Sequence, residues 1–241
     1  MGVKGEDGDF KGVIGRTHAE SEPWWPDPAT APEGSPNVVV ILLDDTGFAH
    51  LGCYGSSIDT PNIDGLAAGG LRYTNFHTTA LCSPTRACLL TGRNHHAVGM
   101  RAVSNFDSGY PHMRGYIADH AATIAEVLQD NGYATACVGK WHLAPMAQAS
   151  AAGPFDHWPL QRGFDRFYGF LQGETDQFHP ELTADNHHID PPSGPEDGYH
   201  VSEDLVDRAI GFVNDTTSVR PDRPFFMYLA FGATHAPHQA P

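Results

Sequence analysis

The sequence predicts an α/β fold, a mostly parallel central sheet flanked by helices, and three observations carry that expectation. Asn37–Leu43 is a continuous run of apolar, mostly β-branched residues, the pattern of a parallel strand buried on both faces. Shorter apolar runs recur at 134–138 and 225–231, with helix-period segments between them. Short Gly-rich turns punctuate these elements, and 241 residues allow one ordinary domain.

Residues 1 to about 35 stand apart from the body at 36–241. Gly, Pro, Asp and Glu recur there, and Pro23-Trp24-Trp25-Pro26 breaks any periodicity. The segment reads as an extended arm whose two tryptophans pack on the domain surface. Asp7-Gly8-Asp9 is too short for an EF-hand loop. The strand at 37–43 ends on Asp44-Asp45 and a Thr46-Gly47 turn. Adjacent carboxylates repel, so a cation is a natural reason to keep them together, and hard oxygen donors favour Ca²⁺ or Mg²⁺. A plain strand-capping turn is the competing reading. Ligand sites in open α/β sheets lie at this carboxyl edge.

A helix is expected near 60–68, a strand at 71–75 and a helix at 83–91. Ile117, Ala121, Ile124, Val127 and Leu128 keep helical spacing, which predicts a helix over 117–131 ended by Asn131-Gly132. A short strand at 134–138 follows, and Gly139 opens a loop presenting Lys140 and His142. Ser202 caps a helix over 202–213, with Glu203 and Asp204 in its first turn. The last strand, 225–231, runs into Gly232-Ala233-Thr234-His235-Ala236-Pro237-His238.

Four cysteines, at 53, 82, 88 and 137, show neither a CxxC pair nor zinc spacing, and they are too few for a disulfide framework. Alone, Cys82 reads as a buried structural thiol. Its surroundings change that reading. Cys82-Ser83-Pro84-Thr85-Arg86, followed by Leu89-Leu90-Thr91-Gly92, resembles the signature of the type I sulfatases. Gly132-Tyr133, leading through a short strand to Gly139-Lys140-Trp141-His142, is similar to that family's second motif. Thr234-His235-Ala236-Pro237 resembles its Thr-His-x-Pro turn. Asp44-Asp45 and these three motifs stand in the family's order, and the resemblance runs from about Ser35 to Pro241. Gly163–Phe170 and Gly173–Asp176 are similar to the bacterial arylsulfatase branch, where they would line or support the substrate mouth.

The resemblance implies an alkaline-phosphatase-like fold and hydrolysis of sulfate esters of the aryl sulfate type. In the family a maturation enzyme oxidises the motif cysteine to formylglycine, and one hydroxyl of the aldehyde hydrate attacks the ester sulfur. The alcohol leaves; the second hydroxyl then loses its proton, the aldehyde re-forms and sulfate is expelled. Carried onto this chain, the nucleophile is made from Cys82. Arg86 would hold the hydrate and the metal-bound carboxylates. Lys140 and His142 would contact the sulfate and the nucleophile. His235 would protonate the leaving alcohol. Asp44, Asp45 and the converted residue 82 would bind Ca²⁺, with Mg²⁺ as the second candidate. The helix start near residue 82 suits an anion. The implied partners are a small-molecule sulfate ester and the formylglycine-generating maturation enzyme.

One departure matters. After Thr-His-x-Pro the family pattern supplies an Asp-Asn pair that completes the calcium site, then a lysine on the sulfate; neither follows His235 here, and Asp185-Asn186 precedes it. The expectation is therefore a fold lacking its C-terminal part, with impaired activity. Two other readings stay open: a non-catalytic truncated relative, and a phosphonate or phosphate ester hydrolase of the same superfamily. The balance of 14 basic against 29 acidic residues, formally −15, argues against a nucleic-acid partner and requires a locally positive site. No apolar segment approaches ~20 residues, so no membrane span is expected. No basic-then-apolar leader is visible, which points to the cytoplasm. Asp176, His179, His187 and His188, with His95-His96, are assigned to loops.

Overall fold

The computed structural model describes residues 10–241, so Asp7-Gly8-Asp9 lies outside the described residues. Its centre is a six-stranded sheet made of β1 (Val38–Leu42), β2 (Ala134–Lys140), β3 (Arg166–Phe170), β4 (Leu182–Ala184), β5 (His187–Ile189) and β6 (Phe225–Ala230). The spatial order is β1-β6-β2-β3-β4-β5. The β1, β6, β2 and β3 strands run parallel, and β3, β4 and β5 pair antiparallel. Among the described residues four α-helices accompany the sheet: α1 (Pro61–Gly69), α2 (Cys82–Thr91), α3 (Ile124–Asp130) and α4 (Val201–Val219).

The central strands are apolar without alternation because each serves two cores. In β6, Phe226, Tyr228 and Ala230 join a layer with Ala87 and Leu90 of α2, Ala125 of α3, Trp141, Trp158 and Phe164. Phe225, Met227 and Leu229 point the other way, onto Leu205 and Ala209 of α4. Side chains alternate across a strand, so a strand buried on both faces needs apolar residues at every position. The same logic fails at β1. Val38, Val40 and Leu42 lean on the first core, but Val39 and Ile41 are 49 % and 54 % exposed. Two-sided burial therefore holds for β2 and β6 and fails for β1.

Several other expectations need correction. Residues 71–75 form no strand; Leu71 is 88 % and Tyr73 63 % exposed, and no described strand pairs with them. The helix over 117–131 shrinks to Ile124–Asp130, because Thr123 caps it: its hydroxyl accepts from Glu126 N–H while the Glu126 carboxylate accepts from Thr123 N–H. Ile117 and Ala121 are still buried, in a loop that Arg162 clamps by donating to both carbonyl oxygens. The last helix runs on to Val219. The β3 strand and the β4–β5 hairpin lie where no strand is expected, so His187 and His188 belong to β5, and His95-His96 open a 3₁₀ turn. Trp24 meets Phe10 edge-to-face, whereas Trp25 is 74 % exposed rather than packed down. Among the described residues no helix is long and apolar enough to cross a membrane.

Candidate active site

Parallel register builds the site. Ala230, the last residue of β6, pairs with Leu42 of β1 and Gly139 of β2. The residues just past those three positions therefore converge at one carboxyl edge: Asp44-Asp45, Lys140 and the Gly232–His235 turn. The turn is stitched to the acids. Asp44 N–H donates to the Ala233 carbonyl (2.9 Å), and the Asp44 carbonyl accepts from Thr234 N–H (2.7 Å). Gly139 makes the approach feasible. Its φ is +103°, and a Cβ there would sit 1.9 Å from the Ala230 carbonyl oxygen.

The α2 helix brings the remaining groups. It starts at Cys82, with Leu81 as the extended N-cap residue. Arg86, one turn on and 1 % exposed, lies beneath it. Its Nη1 donates to the Lys140 carbonyl (2.9 Å) and to the Tyr228 hydroxyl (3.2 Å), and Nη2 stands 3.6 Å from Asp44 Oδ1. Lys140, fully buried, bonds Asp44 Oδ2 through Nζ. Asp44 is thus clamped between two cations. Arg86 Nε and Nη2 are buried without a hydrogen-bond partner, so this guanidinium retains donor capacity for an oxyanion.

Past β2, Trp141 N–H and His142 N–H donate to the Phe170 and Leu171 carbonyls, which carries the β3 tip into the site. His142 takes a left-handed backbone (φ +53°) and is 3 % exposed. Its Nδ1 lies 3.2 Å from Cys82 Sγ, and its Nε2 lies 2.7 Å from Asn105 Oδ1. His235 donates from Nδ1 to the Ala236 carbonyl (2.6 Å). Its Nε2 is 3.9 Å from Asp45 Oδ2, and its Nδ1 is 3.9 Å from Glu174 Oε2. Asp45 is itself exposed and left-handed (φ 55°).

Charge and burial set the protonation states. Burial first, then Lys140, Arg86 and His235, push His142 down to about 3, so the ring is neutral at pH 7. Burial, with Arg86 next, lowers Lys140, while Asp44 opposes the shift. Burial pushes the Tyr228 hydroxyl up to about 12 despite Arg86 beside it. Burial also raises the Cys137 thiol, which lies beneath the site as an inert core group.

Asp44, Asp45, Cys82 and Arg86 line one cavity of about 670 Å³, shared with Phe48, Tyr54, Tyr73 and Phe76. Lys140, His142 and His235 reach it through Asp44, Cys82 and Asp45. A second groove, about 640 Å³ between α4 and the sheet, contains none of these residues. For a metal, the donor chemistry is right and the donor number is short. Among the described residues no group of three or more His, Cys, Asp or Glu could hold an ion. Asp44 already answers to Lys140 and Arg86, and Ca²⁺ takes about six to eight oxygens.

Asp44, Asp45, Cys82, Arg86, Lys140, His142 and His235 all sit at this edge; the loop residues do not. Asp176 accepts from Gln239 and from the Phe178 and His179 N–H groups, which hold its carboxyl down at about 2. Asp185 turns the β4–β5 hairpin (φ 54°) and faces Arg166. Sequence reading missed Asn105, Tyr228 and Ser83. Tyr228 was hidden inside an apolar strand, and Asn105 carries no motif.

The Sulfatase family matches residues 36–241. Human arylsulfatase A is 38 % identical over 226 residues, spanning 84 % of this chain and 42 % of its own length. The arylsulfatase of Klebsiella aerogenes is 31 % identical over 226 residues, spanning 88 % of this chain and 45 % of its own. The crystal structure of Ps i-CgsB superposes with a TM-score of 0.72 at 29 % identity, covering 86 % of this chain and 47 % of that one. A structure in complex with its substrate D-glucosamine-2-N,6-O-disulfate superposes at 0.63 with 29 % identity, over 83 % of this chain and 35 % of that one. The chain thus spans less than half the length of these relatives. The phosphonate monoester hydrolase of Agrobacterium radiobacter, at 0.55 and 23 % identity over 86 % of this chain and 42 % of its own, shares the fold.

Proposed function

The chain belongs to the sulfatase family, and from that premise we propose that it carries the nucleophile end of a site that hydrolyses sulfate esters of the aryl sulfate type, with residue 82 converted from cysteine to formylglycine. One observation carries the reading: the Cys82 sulfur faces a neutral His142 nitrogen at 3.2 Å, in a cavity that Asp44, Asp45 and Arg86 also line. A structural thiol needs none of that company.

The roles follow from position. His142 Nδ1, a neutral acceptor 3.2 Å from Cys82 Sγ, takes the hydrogen bond that orients the group on residue 82. Arg86, whose Nε and Nη2 make no hydrogen bond, keeps donors for an oxyanion in the cavity it lines with Cys82, and the start of α2 adds to that field. Lys140 holds Asp44 in line. His235 Nε2, facing Asp45 at the cavity edge, is the proton source for the departing alcohol. Aromatic walls at Phe48, Tyr54, Tyr73 and Phe76 suit an aryl group. A calcium ion would supply Lewis-acid polarisation and would fall to Asp44, Asp45 and the converted residue 82. That set is about half of a calcium shell.

The test is chemical. After co-expression with a formylglycine-generating enzyme, mass spectrometry of the tryptic peptide Tyr73–Arg86 should find the thiol replaced by an aldehyde. Sulfate release from an aryl sulfate should exceed release of alcohol from a phosphonate monoester, and Cys82→Ala should abolish it. Undiminished hydrolysis by Cys82→Ala would refute the reading. The short donor set favours a second reading, in which the 241-residue chain turns over little by itself. Full-rate hydrolysis with tightly bound calcium would exclude that one.

A further inference from the structure

One side chain with no part in the motifs touches the reacting groups. We infer that Asn105 is a positioning residue that fixes His142 in the Nε2–H tautomer, so that its Nδ1 lone pair faces residue 82. The purpose of this arrangement rests on the proposed hydrolysis; the arrangement itself does not.

His142 has two polar partners through its ring, Cys82 Sγ at 3.2 Å and Asn105 Oδ1 at 2.7 Å. An amide oxygen only accepts, so the nitrogen facing it carries the hydrogen. The other nitrogen is then an acceptor, and the thiol, or a hydroxyl on the converted residue, donates to it. The ring has little freedom to escape. Its backbone N–H is bonded to the Leu171 carbonyl (3.0 Å), and a Cβ on Gly173 would lie 2.6 to 3.2 Å from three ring atoms, so that backbone covers the ring.

Asn105 is tied to the helix that bears the nucleophile. The neighbouring Ser104 N–H donates to the Ser83 hydroxyl at 3.1 Å, and both serines are buried, 2 % and 0 % exposed. Ser83 follows Cys82 directly. One turn of α2 therefore places residue 82 and, through Ser83, the residue that orients its base. A buried serine at this position otherwise has no evident work. Ligating and catalytic histidines are commonly oriented through their second nitrogen in this way.

The test reads the tautomer, not turnover. Long-range ¹H–¹⁵N correlation on ¹⁵N-histidine-labelled full chain at neutral pH, with His142 assigned by its loss in His142→Gln, should give a protonated-type Nε2 and an unprotonated Nδ1. In Asn105→Ala the two ¹⁵N frequencies should move towards each other and the slowly exchanging Nε2–H signal should be lost. Asn105→Asp keeps an acceptor and should retain the wild-type tautomer. If Asn105→Ala fails to fold, Ser83→Ala frees the same loop and should loosen the Nε2–H signal in the same direction. A proton on Nδ1 in the wild type, or unchanged shifts in both Asn105→Ala and Ser83→Ala, would overturn the inference. Because the unconverted thiol form suffices, an absence of sulfate release would count against the proposed function and leave this result standing.

Discussion

His142 is the residue whose chemistry depends most on its burial. Unfolded, a histidine takes a proton near 6.5; here it does so only at about 3, chiefly because the ring is desolvated and then because Lys140 and Arg86 are close. Between those two values the unfolded chain binds a proton that the folded chain refuses. The contribution to stability is therefore complete above about pH 6.5 and is lost as the pH falls towards 3, with a slope of up to about 1.4 kcal/mol per pH unit. Urea titrations from pH 7 downwards should show this slope, and His142→Gln should flatten it. An equal acid dependence in both proteins would place the effect elsewhere. Arg86 illustrates the complementary case. It is a buried cation whose Nη1 hydrogen bonds and neighbouring carboxylate come from three separate elements, β2, β6 and the tip of β1. A lysine there could not reproduce the fork.

At the scale of elements, strand tips do the positioning, and the second motif owes its glycine to a backbone crossing. Gly139 passes so near Ala230 that any side chain would overlap a carbonyl. Gly139→Ala should therefore destabilise by about 3 kcal/mol or more, through overpacking and a forbidden left-handed φ. It should also pull Lys140 out of register with Asp44. Equilibrium unfolding checks the first effect; a stability loss under about 0.5 kcal/mol would mean that the strands can part without cost. Legibility also divides at this scale. The β1, β2, β6, α2 and α4 elements were readable because their apolar runs or helical spacing are long. β3 was not: in Arg166-Phe-Tyr-Gly-Phe170 a charge and a glycine interrupt the pattern, and its identity comes from pairing with β2. Each strand of the β4–β5 hairpin is three residues long. Residues 71–75 alternate like a strand, but no described strand pairs with them, and their backbone turns to solvent and to the Tyr54 hydroxyl, which donates to the Tyr73 carbonyl. The start of α3 was legible in principle, since Thr123-x-x-Glu126 is a capping box, but apolar spacing drew the boundary too early. In the site, motif residues were legible because chemistry constrains them together. Asn105, Ser83 and Tyr228 were not, because their roles exist only after folding.

Over the whole molecule two forces oppose each other. The charge of −15 keeps copies apart. The outward face of β1, the edge strand of the sheet among the described residues, with Val39 49 % and Ile41 54 % exposed, draws apolar surfaces together. Phe48, Leu71, Tyr73 and Phe76 extend that apolar surface around the cavity and are each 46 % exposed or more. Salt separates the two forces, because it screens charge over roughly 10 Å at 0.1 M and leaves apolar burial intact. The chain should therefore associate more as ionic strength rises, seen as a growing weight-average sedimentation coefficient, and should bind an apolar dye in its folded state. Ile41→Lys, placed on the exposed face, should cost less than about 0.5 kcal/mol of stability and should suppress both effects. If the wild type stays monomeric at all salt concentrations and binds no dye, the β1 face is not a sticky surface, and the continuous apolar run at 37–43 requires another explanation.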